Sequence, residues 1–302
     1  MVPSIKYKVP KPQTTNYPEG TPSGQTTNYH LRVKNILLLL TILSVSQLKA
    51  GNENQSYGAR SGAIGNASVT LSDCWAAFNN QAGLGFVKGI EVGTFYENRF
   101  LLKQLSAEAF AFALPVKGGT FGLSYSSFGY SAYSENKYGL AFGKSFGENI
   151  SAGIQLDYLT TKIAENYGSK GVVAAEAGIL FKATQKLSIG IHAYNLSRAK
   201  LADYDDERVP TVLRLGLQYK FSDKVFIAVE TEKDMDKKAI LKVGAEYLVA
   251  KVLYVRAGLA SNPSLSCFGF GIHLKGFKLD LTSSYHSVLG FSPQIGLGYS
   301  FK

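Results

Sequence analysis

The chain has 302 residues, a formal net charge of +10 and hydrophobic side chains at 45% of its positions. Residues 1–50 hold six of the basic side chains and one acid, which leaves 26 basic and 21 acidic groups beyond them, a net +5; no basic run is interleaved with aromatics, so nucleic-acid binding has no footing. The 252 residues after position 50 suffice for one large domain and contain no apolar stretch of 18 residues, which excludes a helical membrane span and leaves a closed barrel as the only way across a bilayer.

Residues 1–30 are polar, with prolines, glycines and Gln-Thr-Thr-Asn-Tyr repeated at 13–17 and 25–29. Such a composition buries no core and reads as a disordered leader. Arg32 and Lys34 then precede an apolar stretch from Ile36 to Val45, broken only by Thr41 and Ser44, and Leu48-Lys49-Ala50 follows with a small residue at the cleavage point. This is the layout of a signal peptide over 31–50, too short to span a membrane. A signal peptide normally stands first, so translation is expected to begin near Leu31 or Val33, and residues 1–30 to be a misassigned start.

Residues 51–89 do not alternate. They contain Gly58-Ala59-Arg60-Ser61-Gly62-Ala63-Ile64-Gly65-Asn66-Ala67, then Leu71-Ser72-Asp73, then Phe78-Asn79-Asn80-Gln81-Ala82-Gly83-Leu84. From residue 90 to the end, period-2 alternation predicts fourteen strands, from 90–98, 106–116 and 119–129 through to 276–285 and 292–301. Each has about the nine to eleven residues that a tilted strand needs to cross a bilayer. After every even strand the turn is tight, as at Gly118-Gly119 or Lys275-Gly276; after odd strands the connections are longer, as at 130–136, 161–170 and 197–210. That rhythm predicts an all-β antiparallel transmembrane barrel (90–302) with its short turns periplasmic.

Strand parity places Leu213, Leu215, Leu217, Tyr219 and Phe221 toward lipid. The opposite face carries Glu176, Arg214, Gln218, Glu230, Lys242, Glu246 and Arg256, which predicts a salt-linked network in the lumen, with Arg214, Glu230, Glu246 and Arg256 joined as one set. In the third strand, Phe121, Leu123 and Tyr125 keep one parity while Phe128 and Tyr130 take the other; either a bulge at Ser126-Ser127 reconciles them and opens a side portal, or the strand ends at Phe128 and Tyr130 belongs to an aromatic girdle. The three histidines beyond residue 50 lie in no metal-ligand or nucleophile motif, and His286-Ser287 reads as a polar rim; no enzyme, metal or cofactor is expected. Cys74 and Cys267 are read either as a pair or as two isolated small hydrophobes.

Gln294 to Phe301 read polar, any, glycine, any, any, aromatic, any, aromatic, and resemble the C-terminal insertion signal of bacterial outer-membrane barrels. The resemblance implies two partners, the barrel assembly machinery and outer-membrane lipid. The elements between residues 58 and 84 resemble the N-terminal stretch of the long-chain fatty-acid transporter (FadL-like) superfamily. Within it they are most similar to the Bacteroidetes-type outer-membrane branch called PorV and PorQ, except that Gln81 stands where the branch has proline.

That resemblance implies a small N-terminal hatch (51–89) inside the barrel, bearing Asp73, Trp75, Asn79 and Asn80 as ligand candidates. It also implies a Gram-negative, Bacteroidetes-like outer membrane. Two functions are implied. One is passive transport of a hydrophobic small molecule, which needs an apolar pocket between hatch and wall. The other is an accessory role in type IX protein secretion at the cell surface, with secreted proteins as partners, which needs a protein-binding rim.

Overall fold

The computed structural model describes residues 55–164, 168–200 and 208–301. The expected leader and signal segment, and the acidic cluster Asp203 to Glu207, lie outside the described residues.

Fourteen antiparallel strands close into one barrel: β1 (Glu91–Asn98), β2 (Ser106–Val116), β3 (Gly119–Tyr130), β4 (Tyr133–Phe146), β5 (Ile150–Ile163), β6 (Gly168–Lys182), β7 (Leu187–Tyr194), β8 (Val212–Ser222), β9 (Val225–Asp234), β10 (Ile240–Ala250), β11 (Leu253–Ser261), β12 (Ser264–Leu274), β13 (Phe277–His286) and β14 (Gly290–Ser300). The last strand closes the ring on the first, with Val92 opposite Tyr299 and Tyr96 opposite Ile295. Closure pairs the edges of the first and last strands with each other. Leu213, Leu215, Leu217, Tyr219 and Phe221 are all exposed on the outer surface, and Ile295, Leu297 and Phe301 of the closing region are too.

The six tight turns lie at one end, as the alternation predicts. The opposite end differs from expectation, because the ladders run further: β4, β5 and β6 reach 14 to 15 residues, and β3 and β4 meet across a two-residue turn rather than an open loop. Backbone groups continue to pair past the roughly nine to eleven residues expected for each strand wherever nothing interrupts the ladder. The long connection between β7 and β8 survives and folds back at its base. Asn195 donates to Val209 O at 2.7 Å and accepts from Ala199 N at 3.0 Å, seating Val209 with Tyr194, Val212 and Leu159 in a buried cluster.

The bulge expected in β3 is absent. Ser126 pairs with Ala109 and Lys137, Ser127 with Glu108 and Asn136, in unbroken register on both sides. Phe128 keeps the inward parity of Ser124 and Ser126, packing on the hatch core with the Arg99 guanidinium 5.3 Å from its ring. The parity change is therefore a change in which face bears the aromatic, not an inserted residue, and Ser126 and Ser127 form no wall kink.

Residues 55–89 fill the lumen as the hatch, with two short helices, α1 (Ala59–Ala63) and α2 (Ala76–Asn79), and a 3₁₀ helix at Gln81–Phe86. Two surfaces of the wall receive it. The inward positions of β2 are Ala107, Ala109, Ala111 and Ala113, and against them pack Tyr57, Phe78 and the partly buried Trp75 of the hatch, together with Phe95 of β1. Elsewhere the wall presents cross-strand glycines, such as Gly143 opposite Gly153 and Gly244 opposite Gly258. A Cβ on Gly244 would meet Ile64 O at 2.3 Å, and one on Gly258 would meet Gly65 N at 2.2 Å. Only a residue without a side chain lets the hatch backbone lie that close to the wall.

Candidate functional site

Hatch and wall are joined by three buried polar clusters. In the first, the Arg60 guanidinium grips Glu246 through two bonds of 2.7 Å, Arg256 donates to Glu246 and to Asp280 at 2.6 Å each, and Asp73 lies 3.4 Å from Arg60. In the second, Arg214 donates to Glu230 at 2.7 Å, to Asn79 O at 3.0 Å and to Ser68 at 3.1 Å; Glu230 also accepts from Val69 N at 2.8 Å, and Lys242 reaches both Glu230 (3.1 Å) and Glu232 (2.6 Å). The third joins Gln81 Nε2 to Glu176 at 2.6 Å, with His192 at 2.9 Å and Lys137 bonded to the same carboxylate; Lys137 also lies 3.3 Å from Asp157.

The four residues expected as one network thus divide into two pairs, Arg214 with Glu230 and Arg256 with Glu246. The physical cause is the hatch itself: Ile64 and Gly65 rest on Gly244 and Gly258, between the level of Lys242 and that of Glu246. Each pair recruits hatch atoms instead of the other pair. Glu176 belongs to the third cluster.

Of the hatch candidates, Asn79 donates to Tyr57 O at 3.2 Å and Ser61 at 3.1 Å, while Asn80 donates to Val69 O at 2.7 Å and accepts from Ala82 N at 3.1 Å. Both are buried and spend these bonds on hatch backbone and hydroxyl, holding the hatch folded. Asp73 accepts from Trp75 N at 3.0 Å, and Trp75 lies edge-on to Phe95 at 6.1 Å. Asp73 and Trp75 line a cavity of about 130 Å³ toward the short-turn end, with Asn79 and Asn80 outside it. Burial pushes the Asp73 carboxyl above its ordinary value, with Arg60 offsetting part of the rise. For Arg60 itself burial would lower the value, but the Glu246 carboxylate outweighs it and holds the guanidinium charged. Cys74, beside them, is a buried free thiol whose pKa burial raises well above normal; Cys267 is free and buried as well, lining a different cavity.

That second cavity, about 270 Å³, opens at the long-loop end and is floored by Gly62, Gly65 and Asn66 of the hatch. Its wall is mixed. Phe100, Ile240, Pro263 and Leu265 are apolar, while Arg99, paired with Glu97 at 2.9 Å, and Ser292 are polar. His286 borders it with Nδ1 already accepting from Val288 N and Leu289 N at 3.1 and 3.2 Å, so the ring caps a turn. A third cavity, about 370 Å³, opens at the short-turn end below Thr70 and Phe86. Sequence parity had no access to these cavities, because they are shaped by the hatch path. The inward alanines of β2 and the paired glycines are its only traces in the wall sequence.

Neither a protein-family model nor a curated protein sequence matches the chain. Solved structures do. The monoaromatic hydrocarbon channel CymD superposes with a TM-score of 0.65 at 13% identity, over 83% of this chain and 99% of the other. The Pseudomonas putida toluene transporter TodX gives 0.64 at 12% identity, over 82% and 99%. A Pseudomonas aeruginosa FadL homologue gives 0.59 at 13% identity, over 84% and 100%. The chain has the fold that these transporters share, a fourteen-stranded barrel of FadL type.

Proposed function

We propose that this barrel sits in the bacterial outer membrane, short turns in the periplasm, and lets a hydrophobic small molecule cross passively. The observation that carries the reading is the 270 Å³ pocket, open at the long-loop end and ending on the hatch, within a fold shared with hydrocarbon channels. The pocket admits a small ligand against Phe100, Ile240 and Leu265 and stops at Gly62 and Gly65. Onward passage requires the hatch to yield where it meets the wall. Uptake of a radiolabelled monoaromatic hydrocarbon by cells with and without the protein tests this: faster uptake with it supports the reading, and equal rates refute it.

A second reading, an accessory role in type IX secretion in a Bacteroidetes-like cell surface, is favoured by one observation. The hatch is packed onto the alanine face of β2 by Tyr57, Phe78 and Trp75, which suits a rigid platform better than a conduit. Cross-linking at the long-loop rim followed by mass spectrometry separates the two, since a platform captures secreted proteins there.

A further inference from the structure

Along the middle of the barrel, inward-pointing cations are matched by carboxylates. Lys137 has Asp157 and Glu176, Arg214 has Glu230, Lys242 has Glu230 and Glu232, Arg256 has Glu246 and Asp280, and Lys278 has Glu91 at 3.1 Å. At the short-turn end two inward cations break the rule. Lys182 and Lys220 stand on the inward register of β6 and β8 at the short-turn end, and neither has an ion pair among the described residues.

Both line the 370 Å³ cavity. The register brings its polar groups into one row: Lys182 pairs with Ser188 on β7, Ser188 pairs with Gln218 on β8, and Lys220 follows two residues on. The hatch supplies the roof, where Thr70 donates to Gln218 at 3.2 Å and the Phe86 ring lies 3.4 Å from the Lys182 ammonium. Lys224 adds a third ammonium at the mouth, with Asp223 as its acidic neighbour, while Glu246 at the back is held by Arg60 and Arg256.

We propose that this vestibule is a binding site for a phosphate group, from a soluble phosphate ester or a phospholipid headgroup. Two ammonium groups without an ion-pair partner, with a third at the mouth, match a phosphate oxyanion, doubly charged in a monoester and singly charged in a phospholipid diester, and lysine serves phosphate as a point charge needing no planar fork. Hydroxyls of Ser188 and Ser222 line the same space and can donate to the remaining oxygens. The cavity is too large for a bare ion and accommodates a phosphate with its ester substituent. An occupant would bridge β6, β8 and the hatch and neutralise the like charges facing each other there. The site rests on the barrel geometry and is independent of what crosses the lumen.

The test uses the whole purified protein. Native mass spectrometry and calorimetry would follow glycerol 3-phosphate in detergent, and phosphatidylglycerol in nanodiscs also containing phosphatidylcholine. Binding of the soluble ester, or retention of phosphatidylglycerol, is expected for the unaltered protein and identifies the source. K182Q with K220Q should weaken whichever is seen by about a hundredfold, roughly tenfold for each charge-assisted hydrogen bond removed, whereas K117Q with K144Q should not change it. In case the neutral pair fails to fold, lysine acetylation of the unaltered protein provides the second readout: ligand should slow labelling at Lys182 and Lys220 and leave Lys117 unchanged. Absence of binding by both ligands, equal binding by the neutral pair, or unslowed labelling overturns the proposal.

Discussion

Gln81 donates from Nε2 to the Glu176 carboxylate across 2.6 Å, tying the hatch to β6 at the position where the resembled motif carries proline. The turn that proline would have stiffened is instead held by Asn80, whose side chain accepts from Ala82 N. Glu176 also takes His192 and Lys137. Gln81→Ala removes one donor to a buried carboxylate and should lower barrel stability by about 1 to 3 kcal/mol. Gln81→Glu, which sets a second carboxylate against the first, should cost more. Denaturant midpoints read by heat-modifiable gel migration check both; a neutral Gln81→Glu would show that the hydrogen bond is not formed.

The two separated ion pairs give a coupling prediction. Glu230→Ala leaves Arg214 and Lys242 sharing Glu232 alone and should cost about 1 to 3 kcal/mol. Arg214→Ala combined with Glu230→Ala should cost less than the sum of the single changes, whereas Arg214→Ala combined with Glu246→Ala should be close to additive. Strong coupling of Arg214 to Glu246 would restore the single network that the sequence suggests and contradict the hatch's place between them.

The wall glycines predict a defect confined to the hatch. Gly258→Val sets side-chain atoms where Ile64 and Gly65 now lie, so the barrel should still close while the hatch is expelled. Cys74, now buried, should then react with a small maleimide at least about tenfold faster, whereas Leu259→Val, on the lipid side of the same strand, should leave it protected. Unchanged protection in a folded Gly258→Val protein would refute the close approach of hatch to wall.

Orientation is tested in whole cells lacking native cysteines. Val288→Cys, on the β13 to β14 connection, should react with an impermeant maleimide and Ser222→Cys should not. Ala202→Cys, in the long β7 to β8 connection, should follow Val288→Cys. Reversed labelling would invert the barrel.

Much of the barrel was legible because period-2 burial is a local property: the lipid face of β8 and the six tight turns follow from neighbouring residues alone. Strand ends at the long-loop side were not legible, since paired ladders extend past the apolar band without any compositional mark. The β3 bulge was a misreading of the same kind. Phe128 points inward to cover the hatch core, and nothing local separates an aromatic that meets lipid from one that meets the hatch. The lumen charges were identifiable one by one. The wall pairs Arg214 with Glu230 and Arg256 with Glu246 lie within the expected set; the hatch partners were not legible, because Arg60, Asn79, Val69 and Gln81 reach the wall charges from 95 to 186 residues away.

On the proposed function, a small molecule passes only when the hatch leaves its seat. A Cβ on Gly122 of β3 would stand 3.4 Å from the Ala77 Cβ of α2, close to the spacing of about 3.5 to 4.5 Å that a disulfide needs, and 2.7 Å from a Leu84 methyl, the movable end of that side chain. Ala77→Cys with Gly122→Cys, in a background carrying Cys74→Ser and Cys267→Ser, can therefore lock hatch to wall on oxidation. Hydrocarbon uptake should fall to the level of cells without the protein when the pair is oxidised and return on reduction; uptake that is undiminished in the oxidised, locked barrel would contradict passage through a yielding hatch.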